Sequence, residues 1–313
     1  MSAFNDYVTR QLNSLDRLLP RSQSETRRRP LRRGPPAADF HFDQVQADTT
    51  YTETSTPNFA SAWPPTLETV LMKDPPEFSA LLGLCEDGLP FLLDLTNPAP
   101  GAILLTAGAA SGKTELIRSL LVSASRMNPP ERVAFSVIAA QPEEYLDLGQ
   151  LEHCQKVFPV EDPAVDGLIA DLVALVEARK RDGPQGPALI LAIDDLAALL
   201  PFLEEQAFSS LYWLIRHGPR YRVWTLAALP SAQVSQIEPR YLTAFRTRLF
   251  GHMLDERLAR TLANDDDLAT RDLVRGSQFF IPYDGDWLRC WICKPAQDQP
   301  LDLEGDPDAE GGD

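Results

Sequence analysis

Ala102-Ile103-Leu104-Leu105-Thr106-Ala107-Gly108-Ala109-Ala110-Ser111-Gly112-Lys113-Thr114-Glu115 is the stretch on which the reading of this chain turns. Ala102–Thr106 is an apolar run of strand length, the pattern of a strand buried on both faces. Small residues follow up to Gly112, and a helical pattern then runs over Gly112–Met127 until Asn128-Pro129-Pro130 stops it. Strand, small-residue loop and Lys-Thr at a helix start make a P-loop in relaxed form, with Ala107 where the first Gly usually stands. Small side chains let backbone N–H groups wrap phosphate oxygens, and the helix adds the positive end of its dipole. Lys113 suits the β- and γ-phosphates and the Thr114 hydroxyl suits Mg²⁺. The expected nucleotide-binding residues are therefore Ala107, Gly108, Ala109, Ala110, Ser111, Gly112, Lys113, Thr114 and Glu115, with ATP and Mg²⁺ as cofactors.

Outward from this loop, strands and helices alternate. Arg132–Ile138 reads as a strand. Asp162 caps a helix with Pro163 in its first turn and Leu168, Ile169, Leu172, Val173 and Val176 as its buried stripe. Ala188–Ile193 is a continuous apolar strand ending in Asp194-Asp195, the shape of a Walker B motif. There Asp194 orients Mg²⁺ and Asp195 stands where an acid polarises the attacking water, so Lys113, Asp194 and Asp195 form the candidate catalytic set and Thr114 with Asp194 the metal set. The competing reading of Asp195 is a strand-end acid that caps the next helix. A helix over Phe202–His217 and a strand over Arg222–Leu226 follow, while Leu81–Leu84 and Pro90–Leu93 flank Glu86-Asp87-Gly88 as a hairpin upstream. The fold class predicted is α/β: a P-loop NTPase with a RecA-like parallel sheet, helices on both faces and a short N-terminal β-hairpin. Ligands on such sheets sit at the carboxyl ends of the strands.

Composition bounds the rest. The 313 residues are 44% hydrophobic, enough for one substantial core over 76–297. The formal net charge of −16 excludes a generic DNA-coating protein, because such binding needs Lys and Arg to displace phosphate counterions. Residues 1–36 run against this balance, with eight Arg and three acids. Phe4, Tyr7, Val8, Leu12, Leu15, Leu18 and Leu19 follow helical spacing, so 1–20 is expected to be an amphipathic helix that docks on its own domain, a protein partner or a membrane surface, the last disfavoured by a polar face that is not Lys-rich. Residues 21–75, basic and then Pro-, Ser- and Thr-rich, read as disordered linker, and 298–313 as an acidic disordered tail. No window approaches the ~18 apolar residues of a membrane helix, and Met1–Arg10 lacks a signal-type apolar stretch. The expected location is cytoplasmic. Cys85, Cys154, Cys290 and Cys293 make no disulfide framework, and Cys290-Trp291-Ile292-Cys293 reads as strand rather than zinc site.

In this order the motifs resemble the FtsK/SpoIIIE family of ring-forming DNA-translocating ATPases, over about 80–294. Gly83–Leu95 resembles that family's hairpin, Thr106–Thr114 its P-loop and Ile193–Leu200 its Walker B segment; Arg216-His217-Gly218 through Leu229-Pro230-Ser231 resembles the approach to its sensor strand. Phe245–Phe250 and Leu258–Leu262 resemble the segment after that strand, and Gly276–Ile281 with Trp287–Cys293 the closing strands. The resemblance implies a homo-oligomeric ring, duplex DNA as cargo, and Arg248 and Arg260 in subunit contact or phosphate sensing. The departures from the pattern are specific. A family Gly is missing near Ala110-Ser111, Asp195 replaces Glu, Ala227-Ala228 replaces Thr-Gln, and Gln141-Pro142-Glu143 replaces Asp-Pro-Lys. The family's membrane domain and winged-helix DNA reader are not recognised in the sequence. These changes imply retained Mg-ATP binding and an ATPase of low activity. The alternative implied is a nucleotide-bound assembly protein, like the degenerate ATPase domains of type VII secretion ATPases.

Overall fold

The computed structural model describes residues 65–71 and 74–295. The helix expected over 1–20, most of the linker 21–75 and the tail 298–313 lie outside the described residues.

In chain order the elements are α1 (Leu67–Val70), β1 (Ser79–Cys85), β2 (Pro90–Asp94), β3 (Ile103–Ala107) and α2 (Lys113–Met127). Then come β4 (Val133–Ala139), β5 (Cys154–Pro159), α3 (Ala164–Asp182), β6 (Ala188–Asp194), α4 (Leu196–Leu199) and α5 (Glu205–His217). The chain continues through β7 (Val223–Pro230), α6 (Pro239–Ala244), β8 (Thr247–Gly251), α7 (Glu256–Ala263), β9 (Gln278–Tyr283) and β10 (Asp286–Trp291). All strands join one sheet in the order β2-β1-β10-β9-β8-β3-β7-β6-β4-β5. From β8 to β5 the strands are parallel, with β3 between β8 and β7. From β8 to β2 they are antiparallel. The predicted parallel sheet is thus six of the ten strands, β8 to β5. The hairpin extends that sheet, because Leu84 pairs with Trp291 and Cys85 with Cys290.

Alternation along each strand divides the core in two. Ile103, Leu105, Ile190, Ala192, Trp224, Leu226 and Ala228 face α2, which supplies Leu116, Ile117, Leu120, Leu121 and Ala124. Leu104, Leu189, Leu191, Ile193, Ala227 and Leu229 face α3 and α5, which supply Ile169, Leu172, Val176, Leu211, Leu214 and Ile215. Burying such side chains on both faces, at about 1.5–3 kcal/mol each, is what makes the strands read as unbroken apolar runs.

Three boundaries depart from the sequence reading. The helix expected over Phe202–His217 begins only at Glu205. Before it stand α4 and a 3₁₀ turn at Leu200–Phe202, since Pro201 has no N–H with which to continue a helix. The strand expected to end at Leu226 continues to Pro230, so Ala227 and Ala228 lie inside it, paired with Leu104 and Leu105. Finally, Thr66–Val70 falls in the stretch read as linker yet is packed: Leu67 is fully buried, its N–H donates to the Lys294 carbonyl, and Glu68 pairs with Arg126 at 2.6 Å. Leu67, Val70 and Leu71 stand at i, i+3 and i+4, but a single turn next to a Thr-, Ser- and Pro-rich stretch is too short a run for a period to stand out.

Candidate functional site

β3 delivers the chain to the carboxyl edge of the sheet, and the P-loop turns there into α2. Ala107 is buried as the last strand residue, beside Pro230 of β7. The loop is pinned from below by the residue after β8: the His252 carbonyl accepts from Gly108 N and from Ser111 Oγ, each at 2.9 Å. Ala110 takes φ +48° and Gly112 φ +83°. Only Gly is at ease in that left-handed region, and a Cβ on Gly112 would stand 2.9 Å from the Gly276 carbonyl oxygen. The Ala110 angle explains why a Gly is usual near this position. Gly112 offers no side-chain cap, so the first N–H groups of α2 stay available to an anion at the positive end of the helix.

The predicted side chains fall into two groups. Lys113, Thr114 and Asp194 come together. Thr114 Oγ1 donates to Asp194 Oδ2 at 2.8 Å, and Lys113 Nζ folds back onto the Gly108 carbonyl at 2.9 Å. Burial pushes the Lys113 ammonium below its ordinary value against the pull of Asp194 and Asp195. Burial likewise raises the Asp194 carboxyl, against the hydrogen bonds of Thr114 and Tyr145 and the charge of Lys113. Both charges therefore sit in a site too dry for them.

Asp195 belongs to the second group. Its backbone turns left-handed (φ +84°) and its Oδ1 accepts from Ala198 N at 2.9 Å, which makes it the N-cap of α4. Glu115 lines the pocket and lies 3.9 Å from Lys294 Nζ. Ala109 offers its carbonyl to Ser111 Oγ and to Arg275 Nη2, the latter at 2.8 Å. Arg248 donates to the carbonyls of Leu262 and Leu242, and Arg260 to that of Leu268 with Glu256 at 3.5 Å. Arg248 pairs in register with Leu104, three residues before the end of β3 and thus about 10 Å from the P-loop edge.

Sequence reasoning missed several neighbours. A cavity of about 760 Å³ over residues Ala110–Glu115 is also lined by Arg118, Glu143, Glu144, Asp147 and Lys294. Beside it, buried Tyr145 donates its hydroxyl to Asp194 Oδ2 at 2.9 Å. Apart from Arg118, which follows Thr114 by one turn of α2, they converge from the loop after β4 and from the end of the described chain, so no spacing links them to the P-loop. Glu143 had a partial signal, as the acid standing where the resemblance expects Lys.

Comparison with known proteins fits this geometry. Residues 70–182 match the FtsK/SpoIIIE family model. The ESX-5 secretion system protein EccC5 of Mycobacterium marinum is 26% identical over 189 residues, covering 52% of this chain. That alignment takes in 13% of EccC5, so the chain matches only a small part of that relative's length. Among solved structures, EssC (ATPases 2 and 3) from Geobacillus thermodenitrificans has a TM-score of 0.62 at 17% identity, covering 76% of this chain and 49% of that one. The pCW3 conjugation coupling protein TcpA, solved as a monomer with ATPγS, has a TM-score of 0.60 at 15% identity, covering 75% and 70%. The P-loop at the edge of β3, the strand ending in Asp194 and the match over 70–182 together show that the folded part of this chain has a P-loop ATPase fold and is similar to the FtsK/SpoIIIE family.

Proposed function

We propose that this chain binds Mg-ATP at the P-loop and hydrolyses it slowly, acting as an oligomeric, cytoplasmic, motor-like subunit. The observation that carries this reading is the split within the predicted catalytic set. Thr114 and Asp194 meet at 2.8 Å beside Lys113, whereas Asp195 is engaged as a helix cap and Ala228 is buried and apolar. A hydroxyl and a carboxylate meeting at an uncapped helix start fit a hard cation held against phosphate. Mg²⁺, when bound, would offset phosphate charge and order the nucleotide. The chain's own residues supply the rest. Lys113 neutralises β/γ-phosphate charge, the N–H groups of 109–114 cradle it, and Asp194 orients the cation's water.

Missing from this set is a group to activate water. A general base must reach the attacking water, and the carboxylate one residue past Asp194 is turned onto Ala198 N. Glu143 places a negative charge at the pocket where the family pattern has Lys. Loss of one charge-positioning group commonly costs about 10²–10³ in rate.

A role in assembling or energising a protein-handling complex is favoured over DNA pumping by two observations. The curated relatives that this chain matches, over 13% of their length, are secretion system proteins, and the net charge of this chain is −16. The deciding experiment is single-turnover hydrolysis with and without duplex DNA, together with thermal shift in Mg-ATP. Wild type should be stabilised by millimolar Mg-ATP, Lys113→Ala should lose most of that shift, and turnover should stay well below about 1 s⁻¹ whether or not DNA is present. Absence of any shift in wild type would refute the nucleotide reading. Fast, DNA-stimulated turnover would establish a working translocase instead.

A further inference from the structure

The loop after β4 closes in a 3₁₀ turn, Pro142–Tyr145, whose last residue points back into the protein. Tyr145 is fully buried although Glu144 and Leu146 on either side are exposed. A tyrosine buried this deeply requires a partner for its hydroxyl. That partner is Asp194 Oδ2, at 2.9 Å, the same oxygen that accepts from Thr114 Oγ1 at 2.8 Å. A carboxylate oxygen can only accept, so the phenol O–H is the donor in this contact.

The turn itself is clamped to the P-loop helix. Arg118, one turn beyond Thr114 on α2, gives Nη1 and Nη2 to the Asp147 carboxylate at 2.9 and 2.7 Å. It also bonds the Glu144 carbonyl, and its guanidinium lies 5.9 Å from the centre of the Tyr145 ring. The helix that carries Thr114 therefore also fixes the turn that carries Tyr145, and both hydroxyls reach one carboxylate oxygen.

The geometry points to Tyr145 as a positioning residue for Asp194, one that sets how strongly a divalent cation tightens nucleotide binding at this site. This assignment rests on the nucleotide reading proposed above. The physical reason is orientation. A buried carboxylate held by two donors on Oδ2 has its plane fixed before any cation arrives. With the phenol gone, Thr114 alone would hold it, and Thr114 is also the hydroxyl placed for the cation. Partners of this kind behind a metal-ligating group typically alter metal affinity about 10–100-fold when removed.

The test uses the full chain and a fluorescent ATP analogue. Tyr145→Phe keeps the buried ring and removes only the hydroxyl. Affinity is measured in EDTA and across a Mg²⁺ titration. In EDTA the variant should match wild type, since Lys113 and the loop N–H groups are untouched. The Mg²⁺ concentration for half-maximal tightening should rise about tenfold. Asp147→Asn, which weakens the Arg118 clamp but spares the phenol, should shift the Mg²⁺ curve the same way by less; it carries the test if Tyr145→Phe does not fold. Identical Mg²⁺ curves for wild type and Tyr145→Phe would overturn the assignment. So would equal losses in EDTA and in Mg²⁺, the signature of a merely structural role. No binding by wild type under either condition would sink the nucleotide reading and this assignment with it, an outcome distinct from binding that Tyr145→Phe leaves unaltered.

Discussion

At the scale of single residues, Lys113 and Asp194 are held in the site at a cost to the fold. Burial raises the Asp194 carboxyl above its unfolded value of about 3.9. Between the unfolded and folded values the native state holds the extra proton, so stability falls as pH rises through that window and stays reduced above it. Asp194→Asn keeps an oxygen for Thr114 and Tyr145 and removes the charge. The nucleotide-free variant should gain about 1 kcal/mol at pH 7, shrinking toward nothing near pH 4, while losing Mg²⁺-dependent tightening of ATP. Denaturant melts of both proteins at the two pH values check this, and a variant less stable than wild type at pH 7 would contradict it. The identities of these residues were legible from spacing alone. The use of Asp195 was not, because the same carboxylate serves a water or a helix N-terminus according to a backbone angle, here φ +84°, that spacing does not encode.

Among the elements, α1 shows how a short segment escapes a pattern-based reading. Four residues contain barely one helical turn, so no stripe can be recognised. Leu67 is nevertheless fully buried in the core that β1 and α2 share, and its N–H donates to the Lys294 carbonyl. Leu67→Ala should cost about 2–5 kcal/mol, as for other buried leucines. Removing residues 1–64 should leave the melting temperature nearly unchanged, and removing 1–75 should lower it clearly; equal melting of the two truncations would show that α1 contributes nothing. The longer elements behaved differently. The helix starting at Lys113 and the strand ending in Asp194 were located to within a residue or two, because each repeats its period over enough positions to stand above chance. The start of α5 was misplaced because apolar residues continue through Pro201 and Phe202 and mask the break.

For the whole molecule, the question is what the arginines and the sheet are for. Arg248 bonds carbonyls of its own chain, so Arg248→Ala should destabilise the domain by roughly 1–3 kcal/mol, the cost of leaving buried acceptors unpaired. Arg260 also holds a carbonyl, that of Leu268, but its side chain is 40% exposed and its pair with Glu256 is loose at 3.5 Å, so it is the better subunit-contact candidate of the two. If the chain assembles, sedimentation in Mg-ATP should show multiples of the 34.8 kDa mass, and Arg260→Ala should reduce them while lowering the melt less than Arg248→Ala does. Unchanged assembly would remove Arg260 from any interface. By itself the sequence determined the α/β class, the strand-helix alternation, the P-loop and the strand ending in Asp194, all local regularities written in consecutive residues. Only the tertiary structure decided that the hairpin and the last two strands extend the sheet, that Asp195 caps a helix, and that Tyr145 stands behind Asp194. The sheet extension and the Tyr145–Asp194 contact depend on residues brought together from distant parts of the chain, and packing, not periodicity, selects such pairs; the Asp195 cap is local, reaching Ala198 three residues on, and turns on a backbone angle that spacing does not encode.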